Sequence, residues 1–445
     1  MSTSQKRAIQ KDFQKKMDGD ELLNCMRCGF CLPSCPTYAE TDHQEMYSPR
    51  GRIALMKGIA EGIIEIDEDV VHSLDLCLGC RACEPVCPSG VKYGHLLADA
   101  RTIIQSHKHE SLAEKAVRKG VFNTLFLHQN QLEAATGLLG FYQRSGLSKV
   151  VRKVGIMHLF PESMATMERV LPPVPKVKAI RSRAHFFPHE GEKKATAALF
   201  TGCLMDTVFF ETNNATIRLL QKAGCDVIIP DGQGCCGALH GHNGELGDAK
   251  ELARRNIAAF EDSEADYIVS NAGGCGAFQI EYGQLLAGEP EWVERANQFT
   301  AKLKDISAIL VELAFHRLHK LQLPDQTVTY QDSCHLRNVM HTYEAPRLLI
   351  QSIKGVHYVE MEGAGTCCAS GGDYNIVQPQ MAMQILDHKM KDVERTRADT
   401  IVTANPGCLL EMKVGVERRH RSANIRVVHL ADLLLEALKP ETARV

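Results

Sequence analysis

Eight cysteines of this chain fall into two copies of one spacing: Cys25, Cys28, Cys31 and Cys35 followed by Pro36, and Cys77, Cys80, Cys83 and Cys87 followed by Pro88. Three thiols with two residues between each, and a fourth with three, let a short turn wrap the corners of a [4Fe–4S] cubane. The proline after each fourth cysteine removes a backbone donor and fixes φ, which turns the chain away from the metal. Where such a run occurs twice, the fourth cysteine of each serves the other cluster. That rule assigns Cys25, Cys28, Cys31 and Cys87 to one cubane, and Cys77, Cys80, Cys83 and Cys35 to the second. A structural zinc pair is the competing reading, since two residues between cysteines also suits zinc. Zinc sites use ligands in two pairs, however, and here a triplet plus Cys-Pro occurs twice. Single-electron transfer is the chemistry these residues imply.

A second set of cysteines repeats downstream. Cys203, Cys235, Cys236 and Cys275 reappear as Cys334, Cys367, Cys368 and Cys408, at offsets of 131, 132, 132 and 133 residues. Short apolar runs precede them in register and predict strands over 197–200, 226–229 and 265–269, and again over 327–330, 358–359 and 398–402. Helical patterns separate them, as over 212–223 and 246–260. Strands alternating with helices predict parallel α/β units, in which the carboxyl ends of the strands form one rim. Each set of four cysteines can converge there as candidate ligands for a further cluster or zinc, with a redox dithiol as the alternative. Cys225 has no match in the second copy and reads as buried and inert. His240, His242 and His335 flank the cysteines as candidate ligands, supporting donors or proton carriers. The run 232–237 spells G-x-G-x-x-G, but Cys235 and Cys236 sit where a pyrophosphate would lie, so nicotinamide binding is not expected.

The elements that must position these groups follow from the rest of the chain. Its 445 residues suggest about three domains. A hydrophobic fraction of 44% and a charged fraction of 24% are ordinary for a globular protein, and a net charge of −3 gives no reason to expect nucleic acid as partner. The opening residues are polar and charged, without the apolar core of a secretory signal, and no apolar stretch is long enough for a membrane span. Seventeen cysteines in that setting point to metal ligands in a reducing cytoplasm, not to disulfides, with membrane contact at most peripheral and through partners. The predicted organisation is a solvated leader (1–20), a two-cluster domain (21–100), a helical connector and linker (101–195), and two cysteine-rich copies (196–320 and 325–445). Between the cubane runs, Ile53, Leu55, Met56, Ile59 and Ile63 recur near helical period, and Asp67 can cap a second helix. Pro172, Pro173 and Pro175, followed by Lys176, Lys178, Arg181 and Arg183, read as a linker with a solvated basic face. The fold class is therefore α plus α/β: a helical two-cluster module followed by a tandem pair of α/β domains.

Two ferredoxin-type runs followed by two Cys-Cys repeats resemble the family of iron–sulfur subunits that includes heterodisulfide reductase, anaerobic glycerol-3-phosphate dehydrogenase, lactate-utilisation proteins and glycolate oxidase. Within it, the runs 235–240 (CCGALH), 333–338 (SCHLRN) and 405–409 (NPGCL), with Tyr374-Asn375 and Gln378-Pro379, are most similar to the glycolate oxidase iron–sulfur subunits. The resemblance implies an electron-transfer subunit with two [4Fe–4S] clusters. It further implies an FAD-containing partner that oxidises glycolate to glyoxylate, and a quinone as terminal acceptor. It places the protein in the cytoplasm or, through partners, on the cytoplasmic face of the inner membrane. A subunit of a lactate or glycerol-3-phosphate dehydrogenase, or a heterodisulfide-reductase-like catalytic subunit, is the alternative. The wider family ends each repeat with C-x-x-C, whereas Ala272 and Asn405 occupy the first of those positions here. Four cysteines per copy, not five, leave three alternatives for each site: a simpler cluster, zinc, or no occupant. Ala369 likewise stands where the motif has glycine.

Overall fold

The computed structural model describes residues 1–159, 162–419 and 425–438; residues 439–445, assigned from sequence to the second copy, lie outside them. Between the two cubane runs, Ser48 starts a helix over Pro49–Ala60 by accepting a hydrogen bond from the Gly51 amide, with Pro49 in the first turn. Ile53, Met56 and Ile59 are its buried face. Ile63, expected on the same face, lies beyond the helix end and is 73% exposed, because the chain turns at Gly62 with φ +74°. Asp67 does cap the next helix, Glu68–Asp75, accepting from the Val70 amide. A third helix, Tyr93–Ser106, closes the module with Leu96, Leu97, Ala100 and Ile103.

The first residues are not a solvated leader. Ser2 opens a helix over Thr3–Lys16 through a capping box with Gln5, and Ile9 and Phe13 are fully buried in the core of the helical module. Their spacing of four residues puts both on one face, which the surrounding lysines and glutamines mask in a composition reading. Farther on, the connector runs through helices Leu112–Arg118, Gln129–Arg144 and Leu147–Val154, with a π-helical stretch over Lys119–Phe126. Two cations of the expected solvated basic face are engaged: Arg181 pairs with Glu133 at 2.8 Å, and Arg183 with Asp206 at 2.6 Å.

Nine strands among the described residues form two sheets. The first holds β1 (Phe186–Phe187), β2 (Ala195–Leu199), β3 (Cys225–Ile228), β4 (Tyr267–Ser270) and β5 (Leu303–Asp305), ordered β1-β3-β2-β4-β5. The second holds β6 (Gln322–Gln331), β7 (Lys354–Tyr358), β8 (Thr400–Thr403) and β9 (Arg426–His429), ordered β7-β6-β8-β9. Apart from β1, which runs antiparallel to β3, every pairing is parallel. The order β3-β2-β4-β5 therefore recurs as β7-β6-β8-β9, and the duplication read from the cysteines is a duplication of topology. Buried residues of both sheets, with helices Phe210–Lys222 and Leu430–Leu438, join in one hydrophobic core.

His429 ties the two copies together inside that core. Its Nδ1 accepts from the Ala431 amide at 3.1 Å, so its Nε2 carries the proton and donates to the Asn271 carbonyl at 2.9 Å. Burial lowers its pKa to about 4, which means the fold accepts only the neutral ring. A depressed basic group contributes its full stability above the unfolded value near 6.5 and loses it as pH falls toward 4. We expect acidification across that window to cost up to about 3 kcal/mol through this residue. Denaturation midpoints of the protein and of His429→Gln, measured from pH 7 to pH 4, check this: the gap between them should shrink on acidification. A constant gap would refute the assignment.

Candidate metal centres

The turns after Asn24 bring the first thiol set together. Cys25, Cys28, Cys31 and Cys87 line one small cavity with Pro49, Ile53 and Tyr93, and Cys83 reaches its far wall. Arg50 pins the loop by donating to the Arg27 carbonyl at 2.9 Å while pairing with Glu45 at 2.7 Å. Burial pushes the Cys31 thiol up. Cys28 is exposed, and Leu23, Met26 and Phe30 stand exposed beside it.

Cys35, Cys77, Cys80 and Cys83 form the second set, close enough that the charges of Cys35 and Cys77 act on Cys80 and those of all three act on Cys83. Arg52 is fully buried among them, donating from Nε to the Ser73 carbonyl at 2.7 Å and from Nη2 to Thr37 Oγ1 at 3.1 Å. Burial pushes the Cys77 thiol up, but Arg52 and Arg101, with donors Tyr93 O–H and Gly79 N–H at 3.4 Å each, outweigh it and leave its pKa lowered. Burial, with the neighbouring thiols, pushes Cys80 and Cys83 well up. Arg52 Nη1 is buried without a partner. A buried guanidinium beside Cys35 and Cys77, with one nitrogen unpartnered, suits an anionic thiolate cluster, and the donor set fits a [4Fe–4S] centre.

In each repeat copy four thiols string together in one order at the carboxyl ends of the strands. Neighbours act on each other along Cys203, Cys235, Cys236 and Cys275, and again along Cys334, Cys367, Cys368 and Cys408. After each cysteine pair the chain turns through a left-handed residue whose amide donates back to sulfur. Gly237 has φ +87° with its amide 3.5 Å from Cys235 Sγ, and Ala369 has φ +72° with its amide 3.4 Å from Cys367 Sγ. The glycine-rich runs thus serve close backbone approach to sulfur. In the second copy a buried cation and a buried acid lie against the thiols: Lys389, which lowers Cys368, and Glu411, whose pKa burial and the Cys368 charge raise to about 8. Cys225 starts β3, at the opposite end from the rim, and is fully buried with its thiol pushed up to about 11.

The parts meet through the histidines and their neighbours. His335 Nε2 donates to the Gly79 carbonyl, Asn338 Nδ2 to the Cys80 carbonyl, and Tyr374 O–H to the Leu76 carbonyl, all at 2.9 Å. Cys80 and Cys334 pack in one cluster with Cys367, and the Cys334 charge raises Cys80 further. On the other side Glu281 of the first copy pairs with Arg81 at 2.5 Å and with His95 at 3.1 Å. His240 is buried and holds the connector through the Phe122 carbonyl at 3.1 Å. His242 packs against His335, and burial lowers its pKa to about 3. The positions lacking the fifth cysteine join the copies: the Gly273 amide donates to the Ala404 carbonyl at 3.0 Å and the Gly274 amide to Asn405 Oδ1 at 2.9 Å. Asn405 Nδ2 lies 3.6 Å from Cys408 Sγ as its donor.

Sequence reasoning missed Arg52, Lys389 and Glu411, and named Asn405 only for the thiol it lacks. The signal for the first three was a charge placed in an apolar helical stripe: Arg52 with Met56 and Ile59, Lys389 with Ile385, Leu386 and Val393, Glu411 with Cys408 and Met412.

Three family models match the chain. Residues 21–91 match a 4Fe-4S dicluster domain, 113–171 the linker region of the glycolate oxidase iron-sulfur subunit, and 197–279 and 328–413 a cysteine-rich domain. A Bacillus subtilis (strain 168) protein whose name reads "Probable glycolate oxidase iron-sulfur subunit" is 60% identical over 98% of both chains. The glycolate oxidase iron-sulfur subunit of Escherichia coli (strain K12) is 30% identical over 96% of this chain and 97% of its own. Lactate utilization protein A of Geobacillus thermodenitrificans (strain NG80-2) is 33% identical over 53% of this chain and 97% of its own.

The turn after the cysteine pair yields a test. A Cβ at residue 237 would sit at a positive φ and 3.2 Å from both the Ala249 carbonyl oxygen and the Phe278 ring. Gly237→Ala should destabilise the protein by about 1–2 kcal/mol, read as a lower thermal unfolding midpoint, and an unchanged midpoint would contradict the geometry.

Proposed function

The chain belongs to the family of glycolate oxidase iron–sulfur subunits, and from that membership we propose that it takes electrons from a separate FAD-containing subunit that oxidises glycolate to glyoxylate. In this reading Cys25, Cys28, Cys31 and Cys87 hold one [4Fe–4S] cluster, and Cys35, Cys77, Cys80 and Cys83 hold the other. Such clusters, when bound, take and give one electron at a time. The observation that carries the reading is the graded burial of the two thiol sets, from exposed Cys28 at the surface to Cys77 and Cys83 in the interior.

Each end of that gradient has residues suited to its task. Leu23, Met26 and Phe30 offer the flavoprotein an apolar footing beside the exposed set. Arg52 favours added negative charge at the buried set, and the Tyr93 and Gly79 donors stabilise the Cys77 thiolate. His335, Asn338 and Tyr374 keep the segment carrying Cys77 and Cys80 dry and against Cys334. The repeat thiols Cys334, Cys367, Cys368 and Cys408 stand next in line, and with Cys203, Cys235, Cys236 and Cys275 they suit a further cluster or zinc. A quinone is the proposed terminal acceptor, and the cytoplasmic side of the membrane the proposed location. Among the described residues no helix is long and apolar enough to cross a membrane.

With the partner and glycolate supplied, Cys80→Ser should abolish reduction of an acceptor dye while leaving flavin reduction intact; undiminished dye reduction would refute the relay. Anaerobic metal analysis checks the repeats separately. Two cubanes alone account for about eight irons per chain, and iron plus zinc should exceed that figure.

A further inference from the structure

We propose that the connector face built from helices Gln129–Arg144 and Leu147–Val154 rests on an anionic lipid surface. On the second helix Leu147, Val150 and Val154 fall at i, i+3 and i+7, and on the first Leu138 and Phe141 at i and i+3, so each helix presents one apolar stripe. These five side chains are between 47% and 72% exposed. The two helices are joined at Ser145–Gly146, where Gly146 turns with φ +78°. A grouped apolar face of this kind on a folded protein marks a surface that something apolar covers.

Charge decides what covers it. The 28 residues 134–161 carry Arg144, Lys149, Arg152 and Lys153 and not one aspartate or glutamate, in a chain whose net charge is −3. Lys149 and Lys153 are exposed beside the stripe, and Arg152, 45% exposed, is held by both carboxylate oxygens of Glu168 at 2.9 Å. Apolar residues framed by lysines on a short helix are the pattern that lies in the headgroup region of an anionic bilayer. A second exposed apolar group, Leu23, Met26 and Phe30, is interleaved with cysteines and follows Asp20 and Glu21 in the chain. That surroundings suits a redox protein; the connector face, distant in sequence from every cysteine, suits lipid.

The test uses the full-length, cluster-loaded protein and two kinds of vesicle, phosphatidylcholine alone and phosphatidylcholine with phosphatidylglycerol. Flotation should recover at least about tenfold more protein on the anionic vesicles, with recovery falling as salt is raised. The triple variant Leu147→Ser/Val150→Ser/Val154→Ser should lose binding to both, and Lys149→Gln/Lys153→Gln should lose the anionic preference. Both variants should keep the elution volume and visible absorbance of the parent, since the altered residues are exposed. Failure of the parent to bind anionic vesicles overturns the proposal, as does unchanged binding of the triple variant. Loss of co-elution with the flavoprotein in the triple variant, with vesicle binding unaltered, assigns the face to that partner and also overturns it.

Discussion

The carbonyls of Leu76, Gly79 and Cys80 are buried or partly buried, and each finds a donor on the second repeat: Tyr374, His335 and Asn338. An unmet buried carbonyl costs roughly 1–3 kcal/mol, so this segment can be enclosed only where those donors stand. Two thiols of the inner set, Cys77 and Cys80, lie on it. Their position is thus fixed from outside their own module, by residues more than 250 positions away in the chain. The Arg81–Glu281 pair fixes the same turn from the first repeat. The inner site and the docking of the modules are one structural event.

The two repeats share a topology but not a neighbourhood. The second faces the helical module, sets Cys334 beside Cys80, and carries Lys389 and Glu411 against its thiols. The first faces the connector, where Leu127 packs on Cys235 and Cys203 and His240 reaches the Phe122 carbonyl. Duplication produced two rims of thiols, and packing then gave each a different environment. A single charge can make such a difference, because in a dry site an amine such as that of Lys389 acts on a thiol with little solvent screening.

Much of this was legible in the chain. Spacing identified the eight cysteines of the helical module, and the near-constant offset of the second set revealed the doubled sheet, because a topology that repeats must repeat its ligands in register. What stayed hidden has physical causes. β1, β5 and β9 are two to four residues long, too short to show alternation. Ile9 and Phe13 are only two residues in a charged helix, yet they dock one face of it in the core. Arg183 read as solvent-facing because its carboxylate, Asp206, comes from a distant segment, whereas Arg181 stays exposed while it pairs with Glu133. The histidines near the cysteines were candidates for ligands, supporting donors or proton carriers, and His240 and His335 also bond to other modules, a contact no local pattern encodes.

Asn405 occupies a place where one more sulfur stands in the wider family, and its amide group does two things there at once: its oxygen takes the Gly274 amide across the boundary between repeats and its nitrogen faces Cys408. A cysteine put back at 405 would regain a donor for metal but forfeit that crossing bond. Ligand number and cohesion between the halves are therefore mutually exclusive at this residue. At this position the side chain serves the joint between the repeats.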